Sequence, residues 1–298
     1  MRHLLCLGFG FSARHLAQRL QGQDWRITGT VRDAVRVGTD QELDVELVAF
    51  DGLQKSQALT QAFQTATHVL ISAPPGPHGD PVLQHHRDDL EQALEKCALQ
   101  WIGYLSTIGV YGDQGGAWVD ETTPAAPQSE RSKRRLEAET AWLSLVPDGS
   151  DPKQPCVQIF RLPGIYGPGR GPASQVLSGQ ARRIIKPGQV FNRIHVEDIA
   201  ATLEAAMSAR GTHDIYNLAD DEPAPPQDVV AFAAEVLDRP VPPAIAFEDA
   251  NLSPMGRSFY SEVKRVKNER IKQDLGVELR YPTYREGIRA IAQARTAG

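Results

Sequence analysis

The sequence predicts an α/β fold, an open parallel sheet wound on both faces by helices, in a chain of 298 residues. Three observations predict it. Short apolar runs such as Leu4 to Leu7 have the character of strands buried on both faces. Stretches with helical spacing separate these runs, so strand and helix alternate. The first strand enters Gly8-Phe9-Gly10-Phe11-Ser12-Ala13, and helical spacing follows from Arg14 to Leu20. Strand, glycine turn and helix in that order form a dinucleotide-binding fingerprint.

Each part of that turn has a physical task. Gly8 permits the tight bend, Gly10 lets backbone approach a pyrophosphate, and Ala13 is small where the helix packs on the strand. Amide groups at the helix start, those of Phe11, Ser12 and Ala13, lack an internal partner and face the anion. The second strand, Trp25 to Val31, ends in Arg32 with no carboxylate before it. A guanidinium there suits a ribose 2′-phosphate, so NADP is expected, with NAD as the alternative. Asp33 offers Arg32 a local partner. The third strand, Glu46 to Gly52, ends in Asp51, which either reaches the adenine edge or starts a turn. The fourth, from His68, runs into Ser72, Ala73 and Pro74, placed beside the nicotinamide ribose at the sheet's carboxyl edge. His78, His85 and His86 lack the carboxylate or thiolate pattern of a metal site and are read as solvated. A helix is expected from Leu83 to Leu99, and the fifth strand from Trp101.

Composition excludes several classes. Net charge is −5 with both signs mixed, so neither nucleic acid nor a membrane surface is expected as partner. No apolar run approaches about 18 residues. Met1 leads into the first strand, so no signal peptide is expected. Cys6, Cys97 and Cys156 are few and scattered, which reads as reduced thiols in a cytoplasmic protein.

The stretch Leu105-Ser106-Thr107-Ile108-Gly109-Val110-Tyr111-Gly112-Asp113 resembles the Ser-Ser-x-x-Val-Tyr-Gly segment of extended short-chain dehydrogenases/reductases, the NAD-dependent epimerase/dehydratase group. The resemblance gives Thr107 the position of the catalytic hydroxyl, with Ser106 beside it. That family places Tyr-x-x-x-Lys about two dozen residues later, where the tyrosine passes a proton and the lysine holds the ribose. Here the region reads Ser129-Glu130-Arg131-Ser132-Lys133-Arg134-Arg135-Leu136-Glu137-Ala138-Glu139. If Lys133 is the lysine, Ser129 stands at the tyrosine position; if Arg135 is, Arg131 stands there. Neither register supplies a phenol, and a serine hydroxyl is a far poorer acid than a phenol of pKa about 10. The proton relay then falls to Tyr111, Tyr166 or Ser129, to Arg131 with Lys133, or to none of them.

Further matches cover nearly the whole chain. Arg161-Leu162-Pro163-Gly164-Ile165-Tyr166-Gly167-Pro168 is similar to the family's Arg-x-x-Asn-Val-Tyr-Gly-Pro, which implies Pro163 over the nicotinamide face and Gly164 in place of the asparagine. Phe191 to Ala200 resembles Arg-Asp-Phe-Ile-His-Val-x-Asp-Ala, with Phe191 at the diphosphate-binding arginine. Together the motifs look most like an atypical, YeeZ-like branch. The resemblance implies a Rossmann-like doubly wound parallel sheet over residues 1–165 with 190–219. A small C-terminal substrate lobe takes 166–189 and 220–298. It also implies a homodimer. The expected function is an NADP-dependent oxidoreductase acting on a small polar or anionic substrate, with Arg170 and Arg182 attracting an anion. The alternative is a non-catalytic NADP(H)-binding sensor.

Overall fold

The computed structural model describes residues 1–96, 99–146, 155–209, 211 and 213–296; Cys97 and residues 147–154, a stretch rich in Pro, Gly and Asp, lie outside them. The chain opens with β1 (Arg2–Leu7), α1 (Phe11–Leu20), β2 (Trp25–Val31), β3 (Gly38–Asp40), β4 (Val45–Ala49), α2 (Gln57–Phe63) and β5 (His68–Ile71). Next come α3 (Pro81–His85), α4 (Arg87–Glu95), β6 (Trp101–Thr107), β7 (Trp118–Val119), α5 (Glu130–Leu143) and β8 (Cys156–Leu162). They are followed by β9 (Gly164–Tyr166), α6 (Pro172–Leu177), β10 (Arg183–Ile185), β11 (Arg193–His195), α7 (Val196–Ala209) and β12 (Ile215–Asn217). The C-terminal part adds α8 (Pro226–Val236), β13 (Ala244–Ala246), α9 (Pro254–Phe259), β14 (Arg265–Val266), α10 (Glu269–Asp274) and α11 (Tyr284–Thr296).

Alternation along the strands sorts side chains between two cores. Leu4 and Cys6 of β1, Leu70 of β5 and Phe160 of β8 pack on the face covered by α1 and α7. Leu5, Leu7, Val69, Ile71 and Ile159 pack on the other face, with Leu59 of α2, Leu90 of α4 and Trp142 of α5. This two-sided burial is why these strands read as continuous apolar runs. Burial in β1 pushes the Cys6 thiol up to about 12. The sheet order is β12-β8-β6-β5-β1-β2-β4-β3, parallel except for β3 against β4. The winding reverses between β1 and β5, which opens a crevice at their carboxyl ends.

Two details differ from the sequence reading. The edge strand β3 was not expected; Arg14 of α1 ion-pairs with its Asp40. The single helix expected from Leu83 to Leu99 divides at His86, whose backbone (φ −132°, ψ 19°) caps α3 and starts α4. His86 is fully buried rather than solvated. Its Nδ1 meets the Asp89 carboxylate at 2.8 Å, and its Nε2 accepts from the Ser56 amide at 3.1 Å. Its ring lies edge-on to Phe50. A polar surrounding sequence hid an inward-facing ring. His78 is exposed and His85 half-buried.

Beyond β8 the chain leaves the sheet's carboxyl edge and builds a further cluster. Tyr166, Ala173, Val176, Val229, Tyr284 and Ile288 join α6, α8 and α11 there. Short parallel pairs, β9 with β11, β10 with β13 and β7 with β14, hold the intervening segments in register. No helix among the described residues is long and apolar enough to cross a membrane.

His68 in β5 and His195 in β11 are both buried, and burial pushes each from 6.5 to about 4. The folded state therefore binds fewer protons than the unfolded chain between those values. The contribution of both groups is fully present above pH 6.5 and is lost as pH falls toward 4, by up to about 3 kcal/mol each. Urea midpoints measured across this window should fall with pH, and His68→Gln should flatten the slope. An unchanged slope would contradict the assignment.

Candidate active site

The glycine turn lies at the β1/β5 crevice. Gly8 has φ +96°, and a Cβ there would stand 2.9 Å from the Ala73 amide nitrogen and 3.0 Å from Ser72 Oγ. The approach is held from both sides. The Ser72 and Ala73 amides donate to the Leu7 carbonyl at 2.9 Å, and the Ser72 hydroxyl donates to the Gly8 carbonyl. On the β2 side, Gly8 N donates to Thr30 Oγ1 at 2.7 Å and Phe9 N to the Thr30 carbonyl at 2.8 Å. Gly10 is the N-cap of α1 and no side chain caps that end. A Cβ on Gly10 would meet nothing within 4 Å. No side chain thus caps the first turn of α1, whose amides are those of Phe11, Ser12 and Ala13. Pro74 is exposed just beyond.

Around this turn, Arg32 is exposed at the end of β2 and has no ion pair among the described residues. Asp33 does not pair with it; its carboxylate accepts from the Val35 amide at 2.9 Å. Of the two roles expected for Asp51, the turn is the one seen: its carboxylate accepts from the Leu53 amide at 2.8 Å.

A cavity of about 570 Å3 lies between the sheet's carboxyl edge and the C-terminal segments. Thr107, Gly109, Ser129, Ser132 and Pro163 line its sheet side. Three hydroxyls gather there. Ser129 caps α5 by accepting from the Ser132 amide at 3.2 Å and donates to Ser132 Oγ at 2.9 Å. Thr107 Oγ1 accepts from Gly109 N at 3.1 Å. A Cβ on Gly109 would meet Ser132 Oγ at 2.7 Å and Thr107 Oγ1 at 3.4 Å, so only glycine leaves these groups room. Ser132 was missed from the sequence. The signal was present: Ser132, Arg135, Glu139 and Trp142 recur at helical spacing on one face.

Three expected catalytic residues, Ser106, Tyr111 and Lys133, do not line the cavity, and a fourth, Tyr166, lines it with its hydroxyl engaged at the Thr283 carbonyl. Ser106 is buried, and its hydroxyl donates to the Glu139 carboxylate. Glu139 also receives Arg161 through Nη2 at 2.7 Å and Nε at 3.2 Å. Arg161 lies over the ring of Tyr111, which is fully buried and donates its hydroxyl to Asn217 Oδ1 at 2.8 Å. Tyr166 donates to the Thr283 carbonyl at 3.3 Å. Burial pushes both phenols above their usual range, with the charge of Asp220 acting on Tyr166, so neither is a ready proton donor. Lys133 faces solvent and pairs with Glu130 at 2.7 Å. Arg135 faces inward instead and donates from Nη1 to the Leu105 carbonyl at 2.7 Å and to the Tyr104 hydroxyl at 3.2 Å. Arg135 and the buried Glu139 one turn on thus lie on the inward side of α5, and Lys133 lies on the outward side. Arg131 lines the cavity, its guanidinium 4.8 Å from the centre of the Phe259 ring.

The model of the NAD dependent epimerase/dehydratase family matches residues 5–219. Protein YeeZ of Escherichia coli K12 is 29% identical over 290 residues, covering 95% of this chain and 97% of that protein. A structure of a functionally unknown conserved protein from Silicibacter pomeroyi DSS superposes with a TM-score of 0.87 at 46% identity and covers 99% of each chain. dTDP-glucose 4,6-dehydratase from Bacillus anthracis, crystallised in complex with NAD, gives 0.75 at 16% identity over 100% of this chain and 97% of that one. That last likeness is one of fold.

The outward Lys133 and the inward Arg135 make different predictions. Lys133→Ala should change stability by less than about 0.5 kcal/mol, because the pair it removes is exposed. Arg135→Ala should cost about 1–3 kcal/mol by stranding the Leu105 carbonyl. Denaturant melts of both variants check this; equal effects would contradict the placement.

Proposed function

The chain belongs to the NAD dependent epimerase/dehydratase family, and from that membership we propose that it is an NADP-dependent oxidoreductase acting on a small polar substrate through a non-standard proton path. The observation that carries the cofactor assignment is the uncapped start of α1 beside Gly8 and Gly10, with open space in front of Gly10. Arg32, exposed and without a carboxylate partner among the described residues, would take the 2′-phosphate. The nicotinamide, when bound, supplies or accepts a hydride.

The chain's own part is to hold the substrate oxygen and move a proton. Thr107 and Ser132 present hydroxyls on the cavity wall, and Ser129 donates to Ser132 and so orients it. This pair passes a proton toward solvent past Arg131, whose positive charge favours a transient alkoxide. The residues 1–165 with 190–219 serve as the cofactor domain. The segments 166–189 and 220–298 serve as the substrate lobe. The burial of both family phenols, Tyr111 and Tyr166, favours a second reading, a dinucleotide sensor without turnover.

Calorimetric titration with NADPH and NADH tests the cofactor choice. The wild type should prefer NADPH, and Arg32→Ser should lose at least about tenfold in NADPH affinity while NADH binding is unchanged. Tighter binding of NADH by the wild type would overturn the NADP assignment.

A further inference from the structure

A hairpin beyond β9 reaches back to the first helix of the sheet. Gly167 N donates to the Arg170 carbonyl at 3.1 Å, and Arg170 N donates to the Gly167 carbonyl at 3.0 Å. Pro168 and Gly169, the latter at φ +75°, are residue types that suit the two positions between them. The hairpin is pressed onto α1 and α7. A Cβ on Gly167 would stand 2.6 Å from Val196 Cγ1 and 3.4 Å from Phe11 Cζ. The place of its last residue, Arg170, is thereby set.

That place is beside the start of α1. The Arg170 guanidinium lies 5.2 Å from the centre of the Phe11 ring, and Phe11 is the first residue of α1. The ring is itself held: His15 stands edge-on to it at 4.7 Å, with Nδ1 at 2.9 Å from the Phe11 carbonyl. Arg170 is exposed, and among the described residues it has neither a carboxylate partner nor a side-chain hydrogen bond. The first turn of α1 contains no acid, and no side chain caps it. Arg14, the other guanidinium beside this turn, is engaged with Asp40. A cation at a helix start faces the positive end of the helix dipole, an unfavourable placement that an anion lying between them reverses. The ring contact leaves the guanidinium's N–H groups free to donate.

We propose that Arg170 is a cofactor-binding residue supplied from beyond the sheet: it grips the dinucleotide's diphosphate from the side opposite the α1 amides, and Phe11 is its positioning residue. The proposal rests on the dinucleotide reading of the glycine turn. The diphosphate is common to NADPH and NADH, so Arg170 acts on both, whereas Arg32 would tell them apart. Arg170 also lines the cavity, so one side chain joins the cavity wall to the cofactor.

Calorimetric titration of the full chain with NADPH and with NADH tests it, on the wild type, Arg170→Met, Arg170→Lys and Phe11→Leu. Arg170→Met should weaken both dinucleotides by a similar factor, at least about fivefold. Arg170→Lys, which keeps the charge, should recover part of that loss. Phe11→Leu, which keeps apolar volume without a ring face, should weaken both by a smaller factor. Arg170 is exposed, so its variants remove no packed side chain and decide the matter if Phe11→Leu fails to fold. In phosphorus NMR spectra of bound NADPH, the diphosphate resonances should differ between the wild type and Arg170→Met, and the 2′-phosphate resonance should not. The proposal is overturned if Arg170→Met binds both dinucleotides as the wild type does, or if its loss is confined to NADPH, which would put the guanidinium at the 2′-phosphate. If the wild type binds neither dinucleotide, the cofactor reading itself fails and this proposal fails with it.

Discussion

The close approach between the Gly8 backbone and the Ser72–Ala73 peptide is the constraint on which the site depends. With the Ala73 amide nitrogen 2.9 Å from where a Cβ would stand, and φ at +96°, position 8 accepts no side chain without strain. The contact exists because β1 pairs with both β2 and β5, so the ends of three strands meet at one turn. Thr30 and Ser72 pin that turn from opposite sides. The first turn of α1 is thereby aimed out of the sheet's carboxyl edge with its amides unblocked.

A second buried arrangement decides what the rest of the site is made of. The Glu139–Arg161 pair joins α5 to β8 and takes up the Ser106 hydroxyl, while Arg161 covers Tyr111. Two residues that look catalytic in sequence are thus drawn into the interior to satisfy a desolvated carboxylate and a buried ring. Removing one partner of such a pair strands the other charge at a cost of about 3–5 kcal/mol. This pair also sets the rotation of α5, which turns Ser132 and Arg135 inward and Lys133 to solvent.

The sheet was legible because its strands are apolar on both faces, and the glycine turn because its backbone demands leave few residue choices. The splitting of the helix at His86 was not legible: a ring bound to Asp89 and Ser56 depends on a contact 30 residues away in sequence. The catalytic face of α5 was half legible. Lys133 and Arg135 are two residues apart, a rotation of roughly half a turn, and only the burial of Glu139 and Ser132 shows which of them faces inward. The lobe's importance comes from the cavity it closes, lined from segments as distant as Thr107 and Lys264.

The central claim is that the diphosphate of a nicotinamide dinucleotide rests on the start of α1. Amide chemical shifts of Phe11, Ser12 and Ala13, followed as NADPH is titrated into the isotope-labelled chain, test it most directly. The account predicts saturable movement of all three, with Gly8 and Ala73 moving alongside. No saturable movement at these amides with either NADP(H) or NAD(H) would contradict it.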